Sequence, residues 1–513
     1  MVQVRPSHRR RHEKKGPTTV AIFIGGCLAL SLIFFASSMT VKKNASSGDI
    51  GSSRNFQKHP FIVDPNDPPN IKAEEDVEDV VPVIKARQDG FTNPSKGILD
   101  KSLEQNINGR GGPNYHVIFS TDCSAFQHWQ SYLLFYSAYK VGQPGTVTRI
   151  ASGCNDEEEG KEKEFQEGIA KDMSPNFRIH FTPHFSKVKD GQGNDTGADY
   201  KFFNKPFGVL HWLEHSEETI ADDDIVIILD PDQVFTRTIT NNFSNLDDNL
   251  MVGTDPKTKV ERGSPFAQKY GFGTRWRDFD LETITNSQDT PARQVNNYDA
   301  ANHYPAGPPY LATKIDMHTI AKNWAEYVPK VHSEFPHLLA EMYAFCIAAA
   351  HAKLPFQIVT SLMASDTGSV RGEGWPLIMI IEDDKICSPS VMEDEVLPSV
   401  LHYCQRYMVG KYFFGKRKMP KSIFTCESPL LAVPPMDISN QYDYFVPPPP
   451  HKPANEHKPL ERGRAKRDAF MICALTRLVN EASLFYQKTN CDSDKNMGVA
   501  IDFWSGKNVQ NST

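Results

Sequence analysis

Ile225-Val226-Ile227-Ile228-Leu229-Asp230-Pro231-Asp232-Gln233-Val234-Phe235, preceded by the acidic run Asp222-Asp223-Asp224, decides how the rest of the chain is read. Five consecutive aliphatic residues are the pattern of a strand buried on both faces, as in a parallel sheet covered by helices. Open α/β sheets gather their ligands at the carboxyl ends of such strands, and there the chain places Asp230 and Asp232. Residues i and i+2 of a strand face the same side, while Pro231 fixes its own φ and offers no N–H. Two carboxylates so placed suit a hard divalent cation, which takes oxygen ligands and often bridges to a phosphate. A buried strand ending in a plain acidic turn has the same local sequence, so the companions must decide.

Upstream, Tyr115 to Ser120 predicts a strand, with Asp122 or Ser124 as cap of the helix that follows. Phe126, Trp129, Leu133 and Tyr136 repeat at helical spacing until Gly142 and Pro144. Thr146 to Ser152 predicts a second strand and Phe177 to Thr182 a third, so the chain opens β-α-β, a parallel crossover. Between them lies a charged surface segment, Glu157 to Lys171. A helix over Lys205 to Glu218 leads into the quoted strand.

Downstream, 269–276 and Asn296 to Pro309 are rich in Gly, Pro and aromatic residues and are expected as loops. Helices are expected at Ile315 to Tyr327 and Pro336 to Lys353, short strands at Pro376 to Ile381 and Val400 to Tyr403. Four prolines, 447–450, mark a linker. Beyond them Arg462 to Lys488 predicts a helix with one apolar face, suited to docking. No internal repeat is present.

The chain has 513 residues, 39% of them hydrophobic, and a formal net charge of -7 with no basic nucleic-acid footprint. Basic residues at 9–11 and 14–15 precede an uncharged stretch from Gly16 to Val41 whose apolar centre is about as long as a membrane helix requires. We expect a cytoplasmic tail over 1–18, a single-pass type II anchor over 19–40 and a stem of little fixed structure over 41–113. A catalytic domain over 114–430 and a C-terminal linker and helix over 431–513 would follow on the lumenal side. Eight cysteines after the anchor (123, 154, 346, 387, 404, 426, 473 and 491) suit an oxidising compartment. Sequons at Asn44, Asn194, Asn242 and Asn511 suit the same route.

A metal and diphosphate site needs a third ligand and positive charge. His402, just after Val400-Leu401, stands at a strand end where it would complete the pair. Gly410-Lys411 and Gly415-Lys416-Arg417-Lys418 supply cations with phosphate reach. Lys205 opens the helix before the quoted strand, and helix amino termini favour anions. Glu341 is a single acid beside an apolar helical face. Two other classes use the same residues. A haloacid-dehalogenase-like phosphatase would take Asp230 as nucleophile, Asp232 as acid/base and Glu382-Asp383-Asp384 as its later acidic motif. A lumenal sugar-binding protein would keep the fold without turnover.

The ordered series His116-Val117-Ile118-Phe119-Ser120-Thr121-Asp122, Trp129-Gln130, Gly142-Gln143-Pro144-Gly145, Asn204-Lys205-Pro206-Phe207, Leu229-Asp230-Pro231-Asp232, Gly307-Pro308-Pro309, Glu341-Met342-Tyr343-Ala344 and Leu401-His402-Tyr403 resembles a known family. It is similar to the plant and algal hydroxyproline O-arabinosyltransferases and peptidyl serine α-galactosyltransferases, over about Tyr115 to Pro429. The resemblance implies an α/β GT-A glycosyltransferase fold with an N-terminal transmembrane helix and a C-terminal helical extension, in the Golgi or ER membrane. It implies a UDP-sugar donor, Mn2+ or Mg2+, retention of configuration and a secreted serine- or hydroxyproline-rich polypeptide as acceptor. By the same resemblance Asp230, Asp232 and His402 hold the metal, with Asp232 the firmer ligand because plant arabinosyltransferases carry Glu-Pro-Asp. Ser120, Thr121, Asp122 and Lys205 border the nucleotide part, with Lys411 added as a nucleotide-binding candidate on its charge alone, and Glu341 joins Asp232 as a candidate catalytic carboxylate whose chemical role the match leaves open. Gly307-Pro308-Pro309-Tyr310 and the loop around Trp276 are the expected acceptor side.

Overall fold

A parallel strand pair needs a crossover, and the first crossover forms as its sequence predicts. In the computed structural model β1 (Tyr115–Thr121), α1 (Ala125–Val141) and β2 (Thr146–Ser152) follow in order, with β1 and β2 parallel. Ser124 is the cap: its side chain accepts from the N–H of Gln127, while Gly142 closes the helix in the left-handed conformation. The structure describes residues 112–190, 192–369, 371–420, 422–440, 461–491, 499–501 and 508–510. The expected tail, anchor and stem, and the linker prolines, lie outside the described residues. Among the described residues no helix is long and apolar enough to cross a membrane.

The charged segment after β2 folds as α2 (Asp156–Phe165), closed by a capping box between Asn155 and Glu158. Then come β3 (Phe177–Thr182), α3 (Asn204–His215), β4 (Ile225–Leu229) and the short β5 (Gln233–Phe235). Next are β6 (Phe266–Lys269), β7 (Ala306–Thr313), α4 (Lys314–Glu334) and α5 (Ala340–His351). The chain continues through β8 (Gln357–Val359), β9 (Met363–Ala364), β10 (Val400–His402), β11 (Arg406–Val409), β12 (Tyr412–Gly415) and α6 (Arg462–Asn490).

The main sheet runs β8-β6-β7-β4-β1-β2-β3. Its β4-β1-β2-β3 half is parallel, and β7 enters antiparallel between β4 and β6. The quoted strand is buried on both faces, as its unbroken aliphatic run requires. Ile225, Ile227 and Leu229 point into one core with residues of α1 and α6, Val226 and Ile228 into the other with α3, α4 and α5. The result is a three-layer α/β/α arrangement around a mixed sheet. A second sheet, β9-β10-β5, lies just past the end of β4, with His402 opposite Gln233 in its register.

Two expectations change. Gly307-Pro308-Pro309 is strand, within the fully buried β7. The prolines fit because the ladder with β6 shifts there: Tyr310 pairs Ala267 and Gly307 pairs Gln268, so neither proline faces a ladder partner. Pro376 lies in a short helix, Trp375–Met379, instead of a strand, in keeping with proline's preference for a first helical turn. The apolar face of α6 docks, as its spacing predicts. Its Ala469, Phe470, Met471, Leu475 and Leu478 are in the same core as β1 and β4, and disulfides Cys387–Cys473 and Cys426–Cys491 tie its interior and its C-terminal end.

Candidate metal and donor site

The tip of β4 is shaped by its own backbone. Gln233 N–H donates to the Asp230 carbonyl at 3.1 Å, a turn with Pro231 in the second position. The Gln233 side chain then locks that turn, accepting from Asp230 N–H at 3.1 Å and donating to the Pro308 carbonyl at 3.1 Å. Tyr270 O–H donates to the same carbonyl at 3.2 Å. The two carboxylates are thereby fixed before any ligand is considered.

His402 reaches them from β10, whose pairing with β5 sets its position. Its Nε2 lies 3.1 Å from Asp232 Oδ1 and 4.0 Å from Asp230 Oδ2. Ligand atoms of Asp230, Asp232 and His402 all fall within 4.8 Å of one another. Two carboxylate oxygens and one imidazole nitrogen form a donor set that fits Mn2+ or Mg2+ better than a thiophilic metal. Asp232 and His402 are 6% and 7% exposed, so the set faces little competition from water.

Two lysines complete the charge pattern. Lys205, in the first turn of α3, lies 2.7 Å from Asp230 Oδ1 and 3.5 Å from Glu341 Oε1. Gly208, one turn along, lets this helix sit close to the strand ends, because a Cβ there would stand 3.1 Å from Ile150. Lys416, just after β12, is paired with Asp232 Oδ2. Burial raises the Asp232 pKa, but His402 and Lys416 outweigh it and hold the carboxyl well below its ordinary value. Burial likewise opposes charge on His402, yet Cys404 and Asp232 hold the imidazolium well above its usual range. Burial also works against charge on Lys205, where Asp230 and Glu341 prevail.

Glu341 behaves differently. It lies in the first turn of α5, 4% exposed, and burial together with Asp230 pushes its pKa up to about 7 against the pull of Lys205. Among the described residues its Oε1 has only the long 3.5 Å contact with Lys205 as a polar partner. The backbone around it is pinned: Glu341 N–H donates to Tyr200 Oη at 3.2 Å and Trp324 Nε1 donates to the Glu341 carbonyl at 2.8 Å.

The first-strand loop is held from below. Thr121 Oγ1 accepts from Arg149 Nε at 2.9 Å, and the fully buried Arg149 also bonds the Asp122 carbonyl and Glu162. Asp122 accepts from Ser124 N–H at 2.9 Å, and the Cys123–Cys154 disulfide anchors the same turn. Thr121 and Asp122 are thus committed to local contacts, with Ser120 half-buried between them and the sheet. Lys411 is exposed in the β11–β12 turn, 5.4 Å from the Tyr412 ring. The cation that reaches the acidic pair from that hairpin is Lys416. Trp276 and Tyr310 are fully buried, and so are Pro308 and Pro309, so none of them presents a surface to an acceptor.

Sequence reasoning missed Gln233, Tyr270 and Tyr200. Gln233 had a signal, its place directly after Asp-Pro-Asp, whereas the tyrosines arrive through tertiary contacts alone. A cleft of 620 Å³ beneath the first-strand loop is lined by Cys123, His128, Glu162 and Phe165, but by none of the residues around Asp230. The converging carboxylates and cations, and not that cleft, mark the chemistry.

Residues 115–251 match a family described as the hydroxyproline O-arabinosyltransferase family N-terminal domain. That segment is similar to this family domain. The matched segment carries Asp230, Asp232 and Lys205, while Glu341, His402 and Lys416 come from chain beyond it. A peptidyl serine alpha-galactosyltransferase of Arabidopsis thaliana is 27% identical over 315 residues, 59% of this chain and 31% of its own length. Another of that name, from Chlamydomonas reinhardtii, is 33% identical over 122 residues, 24% of this chain and 14% of its own. The chain therefore spans less than a third of either relative. The galactosyltransferase LgtC, solved with donor and acceptor sugar analogs, aligns at 15% identity over 56% of this chain and 87% of its own, with a TM-score of 0.28. The glycosyltransferase GlyE of Streptococcus pneumoniae TIGR4 aligns at 13% identity over 57% and 55%, with a TM-score of 0.29. Such low scores carry no argument about this fold.

Proposed function

We propose that the protein is a GT-A-type retaining glycosyltransferase that moves a sugar from a UDP-sugar to a serine or hydroxyproline hydroxyl of a secreted polypeptide. The observation that carries this reading is the meeting of Asp230, Asp232 and His402 with two lysines at the carboxyl end of a buried parallel strand. Asp230, Asp232 and His402 would hold Mn2+ or Mg2+, which when bound neutralises a donor diphosphate and favours its departure. Lys205 and Lys416 add positive charge where the diphosphate oxygens would lie. Ser120 and the loop through Asp122, stiffened by Arg149 and the Cys123–Cys154 bridge, would border the nucleotide.

Glu341 bears on the stereochemistry. A nucleophilic carboxylate must be reachable, yet this one is buried and its backbone is pinned by Tyr200 and Trp324. It is better suited to hold a proton or donate a hydrogen bond. That favours same-face attack, in which the departing phosphate takes the acceptor's proton, over a covalent glycosyl-enzyme. The phosphatase reading loses its later acidic motif, because Asp383 pairs with Arg462 and Lys466 of α6.

The test is a panel of UDP-sugars with serine-rich and hydroxyproline-rich peptides, with Mn2+ or with EDTA, products read by mass spectrometry. Metal-dependent glycopeptide formation is expected. Phosphate release from phosphoesters with no use of UDP-sugars would overturn the proposal.

A further inference from the structure

The second half of α3 carries imidazoles that the donor site does not use. Phe207, His211 and His215 follow at four-residue spacing and so share one face of the helix. That face meets β3, the edge strand of the main sheet. His180 of β3 stands opposite Ile150 in the β2–β3 register, and Ile150 belongs to the core that α3 covers, so His180 faces the helix. The rings meet there. His180 Nε2 lies 2.9 Å from His211 Nδ1, with ring centroids 5.1 Å apart, and the centroids of His211 and His215 are 4.6 Å apart. Phe185 stacks on Phe207 at 5.4 Å, its ring 6.4 Å from His211, and gives the group an apolar wall. His180 and His211 are half-buried and His215 is exposed.

We propose that His180, His211 and His215 form a second metal site, for a divalent ion of the Zn2+ class, which staples the edge strand β3 to α3. The inference is independent of the glycosyltransferase reading. Imidazole nitrogens bind Zn2+ at about 2.0–2.1 Å, which in a tetrahedral site sets ligand nitrogens roughly 3.3 Å apart. The His180–His211 pair stands close to that spacing. The three nitrogens do not yet converge, and His215 completes the set by turning its exposed ring about its side-chain bonds. A donor set of imidazoles alone favours Zn2+, whereas the carboxylate pair at the tip of β4 favours Mn2+ or Mg2+. The rings are also in the right state. Burial, then His211 and His215, lowers the His180 pKa to about 4 against a smaller opposing pull from Glu218. Burial and His215 lower that of His211, with Glu214 opposing. Both rings are therefore neutral at pH 7 and offer lone pairs. The proton between Nε2 and Nδ1 moves to the far nitrogen of its own ring, so coordination of this pair releases none.

The experiment titrates the full chain, without a polyhistidine tag and stripped of metal by chelation, with ZnCl2 in a calorimeter. The parent is expected to bind one Zn2+ equivalent more than His211→Gln or His215→Gln, while His402→Ala keeps that equivalent. Zn2+ is expected to raise the thermal midpoint of the parent more than that of either variant, and metal-free melts check that the variants fold. Because His215 is exposed, its substitution leaves the test intact even where His211→Gln is unstable. Equal Zn2+ uptake by the parent and both variants overturns the site. Loss in His211→Gln but not in His215→Gln overturns the three-ligand set. Loss of the extra equivalent in His402→Ala, with none in the α3 variants, assigns the ion to the Asp230 centre and overturns the proposal as well.

Discussion

Asp232 shows how much one carboxylate can hold. It faces His402 and Lys416 with little water, so its removal leaves two cations without their partner. Asp232→Ala is expected to abolish Mn2+ binding in calorimetry and to cost about 3–5 kcal/mol in urea melts, because breaking a buried pair strands the other charge. A variant that loses metal with an unchanged melt would contradict the pairing described. Glu341 makes the opposite case. Its folded pKa, about 7, stands above its ordinary value. Below the ordinary carboxylate range both states are protonated and no penalty exists. As pH rises through that range the unfolded state ionises first, and stability falls until pH passes the folded value. The loss reaches up to about 3 kcal/mol. Glu341→Gln should flatten that slope between pH 4 and pH 8 in denaturant titrations; parallel profiles for variant and parent would refute the assignment.

Among the elements, those whose periodicity reports burial were legible and those governed by contacts were not. The aliphatic run of β4 announced a strand buried on both sides, and the Phe126–Tyr136 spacing announced α1, because each pattern is written by the core that receives it. The prolines of β7 misled, since their local preference for turns was overridden by a shifted ladder, and the apolar run after Pro376 was read as a strand where a proline-started helical turn forms. At the site, Asp230, Asp232 and His402 could be nominated from strand ends. Choosing Lys416 over Lys411 needed the hairpin's register, which sequence spacing does not contain. The helix α6 was legible as a helix with an apolar face, but its dock was not. Its disulfides close loops of 86 and 65 residues. Cys387→Ser and Cys426→Ser are each expected to lower stability by about 2–4 kcal/mol. Denaturation of the single variants measures this; a midpoint equal to the parent's would show that packing alone holds the helix.

The molecule as a whole is a mixed sheet between two cores, with a charged centre at one end of its parallel half. Asp230 and Asp232 are already paired there with Lys205, Lys416 and His402, so the metal must compete with the lysines for the carboxylates and displace the proton of His402. Binding is therefore expected to be modest in affinity and to tighten when UDP is present to engage the lysines. At free metal about 100 times Kd the native state should gain about 2.7 kcal/mol. Scanning calorimetry in Mn2+, in Mn2+ with UDP, and in EDTA would measure both effects. A midpoint insensitive to Mn2+ in the presence of UDP would refute the metal assignment.

The small β9-β10-β5 sheet carries a consequence for how the protein is made. Asp230 and Asp232 leave the ribosome some 170 residues before His402, and β10 is the strand that brings the imidazole to them. A nascent chain therefore displays its acidic pair with neither His402 nor Lys416 in reach. The complete ligand set exists only after nearly the whole catalytic region has been synthesised. A metal held as proposed would thus be captured late in biogenesis, and chains that stop short of residue 400 are expected to fail to retain Mn2+ in calorimetry.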